Sequence, residues 1–117
     1  AYEYKLPVIN IVLNNNYLGM VRQWQTMFYD DRISSTDLSV QPDFVALVEA
    51  CGAKGYRVKT KTEFEEALKD AVECGKPVFI DVIIDRREIV LPMVPAGEGL
   101  SNTIVEYKDP KQIEDKG

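Results

Sequence analysis

Residues 8–13, VINIVL, are apolar except for Asn10, and this short β-branched run predicts a strand buried on both faces of a parallel sheet. Pro7 opens it, at a position where a missing N–H is tolerated. Asn14, Asn15 and Asn16 then stop it. From Gly19 the period changes, because Met20 and Val21, Trp24, and Met27 and Phe28 recur at steps of three and four, the apolar stripe of a helix. The order is strand, polar loop, glycine, helix. In an open parallel sheet such a junction lies at the carboxyl end of a strand, where ligand crevices form, and the free N–H groups of the helix start favour an anion.

The rest of the chain alternates in the same way. Residues 30–41, DDRISSTDLSVQ, carry no apolar period and predict an exposed connection of a length more often functional or mobile than incidental. Pro42 suits the first position of a second helix, with Asp43 in its positive first turn and a stripe of Phe44, Val45, Leu47, Val48 and Cys51 ended by Gly52. Residues 54–59, KGYRVK, predict a short strand with Tyr56 and Val58 on one face. Thr62 with Glu65 fits a capping box, and Phe64, Ala67, Leu68, Ala71 and Val72 mark a third helix ended by Gly75. Residues 78–84, VFIDVII, form the last strand, apolar on both faces apart from Asp81.

Residues 1–5 read as the end of a helix before the first strand. Beyond Asp85 periodicity is lost, the prolines of LPMVP favour extension, and the end from Tyr107 is expected to be disordered. The pattern specifies an α/β fold: a partial doubly wound parallel sheet of about three strands with flanking helices in residues 1–85, then an extended tail over 86–117. Two of the three strands look buried on both faces. At least one face or edge is therefore expected to be covered by further sequence.

Composition narrows the chemistry. At 117 residues the chain is one domain at most, and 45% apolar with 28% charged residues is ordinary for a globular protein. Fourteen basic against nineteen acidic residues give a net charge of −5, and no basic run exceeds Arg86-Arg87, which argues against a nucleic-acid partner. No apolar window is long enough to span a bilayer and the first residues lack signal-peptide order, so the expectation is a cytoplasmic protein with no membrane partner. Cys51 and Cys74 each precede a glycine at a predicted helix end, as small apolar residues do. Histidine is absent, which excludes imidazole triads and histidine-based zinc sites within the chain. The pairs Glu65-Glu66 and Asp30-Asp31 read as solvated faces.

Asparagine carbonyls are hard ligands suited to magnesium or calcium, and magnesium shares its shell with phosphate oxygens. The asparagine loop holds no carboxylate, so it reads as half of a metal site or simply as a turn, since asparagine tolerates left-handed backbone.

LNNNYLGMVRQWQ resembles the end of the thiamine diphosphate motif of acetolactate synthase (acetohydroxyacid synthase) catalytic large subunits. The similarity continues through QPDFVALVEACGAKGYRV, GKPVFIDVIID and VLPMVPAGEGL, and so covers nearly the whole chain. The resemblance implies the C-terminal part of a thiamine diphosphate-binding domain from an enzyme that condenses two pyruvates, or pyruvate and 2-ketobutyrate, in branched-chain amino acid biosynthesis. Implied cofactors are thiamine diphosphate and magnesium, with FAD in the full-length family. Implied partners are 2-ketoacids, a homo-oligomer and a regulatory small subunit.

By the same resemblance Asn15 matches a magnesium ligand and Tyr17 the position that adds a main-chain oxygen. Gly19 and Met20 match the helix start beside the diphosphate, while Met20 and Trp24 match substrate positions; packing of an apolar stripe would also account for both. No catalytic residue is implied within the chain, because the Gly-Asp-Gly half of the motif, the activating glutamate and the flavin domain have no counterpart. The chain alone is therefore expected to be inactive. The alternatives are another thiamine diphosphate enzyme, of glyoxylate carboligase or pyruvate oxidase type, and a free-standing non-catalytic α/β module.

Overall fold

The computed structural model describes residues 1–109, and its contacts divide the chain into two units. The first unit, Ala1–Asn15 with Ser39–Asp85, is built on a three-stranded parallel sheet. Its strands are β1 (Ile9–Asn14), β2 (Lys54–Val58) and β3 (Val78–Ile83), in the order β1-β3-β2. The last strand of the sequence is thus the central one. Ile9 stands opposite Val78 and Asn14 opposite Ile83 on one side of β3; Lys54 stands opposite Val78 and Val58 opposite Val82 on the other.

Alternation along β3 assigns its two faces. Val78 and Ile80 join Val58 with Ala67 and Ala71 of a long helix, Lys61–Glu73, and Phe64 and Tyr56 pack around them. Phe79 points the other way, its ring centroid 6.1 Å from that of Phe44 on a short helix, Phe44–Ala50. One helix therefore covers each face. On the short helix's side Gly55 is required, because a Cβ there would lie 2.8 Å from Val45.

The caps differ by one or two residues from the predicted ones. Asp43 is the N-cap of the short helix rather than a first-turn residue, its carboxylate accepting from the N–H groups of Val45 and Ala46 at 3.0 and 3.2 Å. The capping box of the long helix is Thr60 with Glu63, not Thr62 with Glu65. Thr60 has the extended backbone that an N-cap needs. Val72, expected on the apolar stripe, is exposed, and Ala67 and Ala71 alone of that helix are buried. Gly52, at φ +86°, ends the short helix as the sequence predicts. Residues 2–5 form a turn, not a helix end, closed by the Lys5 N–H donating to the Tyr2 carbonyl at 3.1 Å.

The expectation that β1 is buried on both faces is corrected. It is an edge strand, and Leu13 is 66% exposed, Ile11 44% and Val12 39%. The helices cover β2 and β3, and nothing among the described residues covers the outer half of β1.

The second unit joins Asn16–Leu38 with the chain from Arg86 onward, so it differs from the predicted division into 1–85 and a tail. It holds the first helix of the sequence, α1 (Gly19–Phe28), a 3-10 turn at Leu100–Asn102 and an antiparallel bridge between Met93 and Ile104. The other two helices are accordingly α2 (Phe44–Ala50) and α3 (Lys61–Glu73). The expected disorder from Tyr107 onward lies largely outside the described residues, but Asp109 within it is buried.

The predicted stripe of α1 exists, yet it faces outward. Met20, Val21 and Phe28 are exposed, whereas Arg22, Gln23 and Thr26 are buried. Side-chain hydrogen bonds explain the inversion. Gln23 grips the backbone of Val90 at both ends of its amide, donating to the carbonyl at 3.0 Å and accepting from the N–H at 2.8 Å. Gln25 does the same for the following loop, donating to the Ser34 carbonyl at 2.9 Å and accepting from the Thr36 hydroxyl at 2.9 Å. Thr36 is buried as a result, so residues 30–41 are not wholly the exposed connection that their composition predicts.

Candidate functional site

The asparagine run sits at the carboxyl end of β1, as predicted. Asn14 is the last residue of the strand and Asn15 follows it, 9% exposed. Asn16 takes a left-handed backbone, φ +58°, which asparagine adopts at small cost. The turn reading is therefore met at Asn16.

Asn14 is fixed from three directions within the first unit. Its side-chain amide donates to Asp81 Oδ1 at 2.9 Å, its side-chain oxygen accepts from Gln41 Nε2 at 3.3 Å, and its carbonyl accepts from the Ile84 N–H at 3.1 Å. Asp81, in the middle of β3, is 1% exposed. Arg57 Nε donates to Asp81 Oδ2 at 3.2 Å, and Arg57 Nη2 to the Asp43 cap at 2.8 Å. The guanidinium holds the Asp43 carboxyl below its ordinary range, and the two carboxylates, Asp43 first, raise Arg57 above its own.

In the second unit, Tyr17 forms a bridge with Asp37 and its ring lies beneath two guanidinium groups, Arg86 at 4.7 Å and Arg22 at 5.5 Å from the ring centroid. Gly19 opens α1. That helix start has no side-chain cap and no acidic residue in its first turn, so its free N–H groups have the polarity that an anion needs. Met20 is exposed one residue on. Trp24 meets Phe28 edge to face, 5.9 Å between centroids, and with Phe28, Tyr29, Pro95 and Ala96 it lines a cleft of about 190 Å³. Trp24 is half-buried at that cleft.

A cluster that the sequence reading missed stands behind α1. Asp109 accepts from Arg22 at 3.1 Å and from Arg87 through both oxygens, at 2.6 and 2.9 Å. The carboxylate raises Arg87 above its ordinary value. Arg87 also reaches Asp31 at 3.1 Å, and Thr26 donates to that same carboxylate at 2.8 Å. Asp31 is therefore not part of a solvated acidic face, although Asp30 is exposed. The one available signal was polarity at Arg22, Gln23 and Thr26 on a single helix face. Composition could not say that this face turns inward.

Among the described residues no group of three or more acidic or cysteine side chains could hold a metal ion. The asparagine loop itself offers amide and main-chain oxygens, which suit a hard cation that takes most of its charge balance from a phosphate ligand. No described helix is long and apolar enough to cross a membrane. Cys51 and Cys74 are free and lie at the C-terminal caps of α2 and α3, as predicted.

A strand ending in a polar loop, followed by an uncapped helix start, is the arrangement of a phosphate-binding α/β domain. Residues 1–82 match the family described as thiamine pyrophosphate enzyme, C-terminal TPP binding domain, and the chain belongs to that family. It is similar to the mitochondrial acetolactate synthase catalytic subunit of Saccharomyces cerevisiae, 46% identical over 104 residues, which are 89% of this chain and 15% of that protein. It is also similar to the acetolactate synthase isozyme 3 large subunit of Escherichia coli, 44% identical over 86% of this chain and 18% of the relative. The probable acetolactate synthase large subunit of Methanocaldococcus jannaschii is 42% identical over 87% of this chain and 17% of its own length. The chain thus spans under a fifth of the length of these relatives. In structure it resembles the thiamine diphosphate-dependent 4-hydroxybenzoylformate decarboxylase of Rhodococcus jostii RHA1, with a TM-score of 0.66 and 33% identity over 73% of this chain and 16% of that one.

Proposed function

We propose that this chain supplies the metal- and diphosphate-binding end of an acetolactate synthase active site, in an enzyme that joins two pyruvates, or pyruvate and 2-ketobutyrate, for branched-chain amino acid synthesis. The observation that carries this reading is the 46% identity to an acetolactate synthase over 104 residues, 89% of this chain. The three curated relatives quoted above are all acetolactate synthases, which favours the synthase over other thiamine diphosphate chemistry.

Bound thiamine diphosphate would supply the electron sink for decarboxylation and carbon–carbon bond formation. In this reading the Asn15 side-chain oxygen and the Tyr17 main-chain oxygen would hold magnesium, and the N–H groups from Gly19 onward would receive diphosphate oxygens. Met20 and Trp24 would be substrate positions, Trp24 for the second ketoacid. No residue of the chain is assigned a proton-transfer step. FAD, a homo-oligomer and a regulatory small subunit belong to the same reading as properties of the complete enzyme.

The test is Asn15→Ala in the complete protein that carries these residues. Losing one protein ligand should weaken metal and cofactor together, raising the thiamine diphosphate dissociation constant more than about tenfold, or roughly 1.4 kcal/mol, with partial rescue by excess magnesium. Parent-like cofactor binding in a calorimetric titration would refute the metal assignment and leave the triplet as a turn. Trp24→Leu should leave cofactor affinity nearly unchanged and shift the choice between pyruvate and 2-ketobutyrate as acceptor.

A further inference from the structure

Asp81 is an acid in the wrong place for stability alone. It sits in the central strand, 1% exposed, where an apolar residue of similar size would cost less, since a buried carboxylate must recover its lost hydration from partners. Its partners explain its presence. One oxygen takes the Asn14 side-chain amide and the other takes Arg57 Nε, while the far end of Arg57 grips the N-cap of α2. A continuous polar chain therefore runs from Asp43 through Arg57 on β2 and Asp81 on β3 to Asn14, the last residue of β1. It ends one peptide bond before Asn15. Gln41 closes it from the other side by donating to the Asn14 oxygen, so both polar atoms of that amide are engaged.

Asn14 is the last residue of β1, and its side-chain amide is fixed to β3 by the Asp81 carboxylate. A loop that presents an oxygen to a metal must be held within about half an ångström of its working position, and outer partners of a ligand supply that constraint.

We propose that Asp81 is a positioning residue for the asparagine loop: by anchoring Asn14 through a buried carboxylate clamped by Arg57, it sets the direction in which Asn15 leaves the sheet. Asp81 touches neither metal nor cofactor. The inference rests on the reading of Asn15 as a magnesium ligand, and it adds residues that the ligand motif does not contain.

The test uses the complete protein, titrating magnesium by calorimetry with thiamine diphosphate present and recording thermal melting without either. Asp81→Asn keeps the shape but leaves only one acceptor oxygen for two donors. It should lower magnesium affinity about tenfold, within the range usual for loss of an outer partner of a metal ligand, and Asn14→Ala should do the same. The double variant should be no weaker than the worse single variant, because both cut the same chain. Losses that multiply, or parent-like magnesium affinity in Asp81→Asn with only a lowered melting temperature, would overturn the proposal.

If Asp81→Asn does not fold, the same cycle is read on Arg57→Gln, at a half-exposed position, with Asn14→Ala. Shared losses then support the proposal and independent or absent losses overturn it. Asn15→Ala in the same titration separates the two levels. Parent-like affinity there sinks the metal reading itself, whereas weak binding in Asn15→Ala beside parent-like binding in Asp81→Asn sinks the role of Asp81 alone.

Discussion

The interiors of the two units are stabilised by different means, each taken by itself. The sheet unit gathers the apolar core, Val58, Ala67, Ala71, Val78 and Ile80 around one strand, and its buried polar side chains, Asn14, Asn15 and Asp81, lie apart from that cluster. In the α1 unit the buried side chains are Arg22, Gln23, Thr26, Thr36 and Asp109, and each makes a directed polar contact. Apolar burial is non-directional and tolerates adjustment, whereas a buried charge depends on the placement of its partner. The apolar core of the sheet unit should therefore lose stability in proportion to volume removed. The α1 unit should lose it abruptly when one carboxylate goes.

The largest expected effect follows from that difference. Asp109→Ala removes the acceptor shared by Arg22 and Arg87 and leaves the Arg22 guanidinium, 1% exposed, without its ion-pair partner. Breaking a buried pair from one side costs about 3–5 kcal/mol, to be read from urea unfolding of the complete protein. A loss under about 1 kcal/mol, the size expected for an exposed pair, would mean that the two units are not held differently.

Ile80→Ala tests the other side of the comparison. Ile80 is fully buried at the centre of β3, and its truncation should cost about 3 kcal/mol through lost transfer energy and the cavity left behind. Ile80→Val should cost about 1 kcal/mol, a graded response that no substitution of Asp109 should reproduce.

The smallest effect concerns the α3 cap. Thr60→Ala should cost about 1 kcal/mol by freeing the Glu63 N–H. The reciprocal half of that cap depends on pH. The N–H groups of Lys59 and Thr60 hold the Glu63 carboxyl below its ordinary value of 4.5. A carboxyl depressed in the folded state binds fewer protons there than in the unfolded chain. Its contribution is therefore complete above about pH 4.5 and declines as pH falls through the depressed value. Denaturant unfolding across that window should show the decline, and Glu63→Gln should flatten it.

Much of the architecture could be read from the chain. The β-branched runs at β1 and β3, the glycine stop at Gly52 and the change of period at Gly19 rest on local sterics and local hydrogen bonds, which act in any context. The asparagine loop at a strand end and the helix start behind it were legible for the same reason. Cap positions slipped by one or two residues because several neighbouring side chains can serve equally well locally.

Three features lay beyond the reach of periodicity: the central place of β3, the exposure of β1 and the inward turn of the polar face of α1. Strand order is a choice among distant segments, and a strand's burial depends on which neighbours reach it. An apolar stripe marks one side of a helix, but Gln23 at Val90 and Arg22 at Asp109 decided which side is enclosed, across separations of 67 and 87 residues. Asp81 shows the same division. The sequence by itself determined that an acid interrupts an apolar strand; only the tertiary structure placed Asn14 and Arg57 on its two oxygens, because those contacts join residues 67 and 24 positions away, whose approach depends on the assembled sheet.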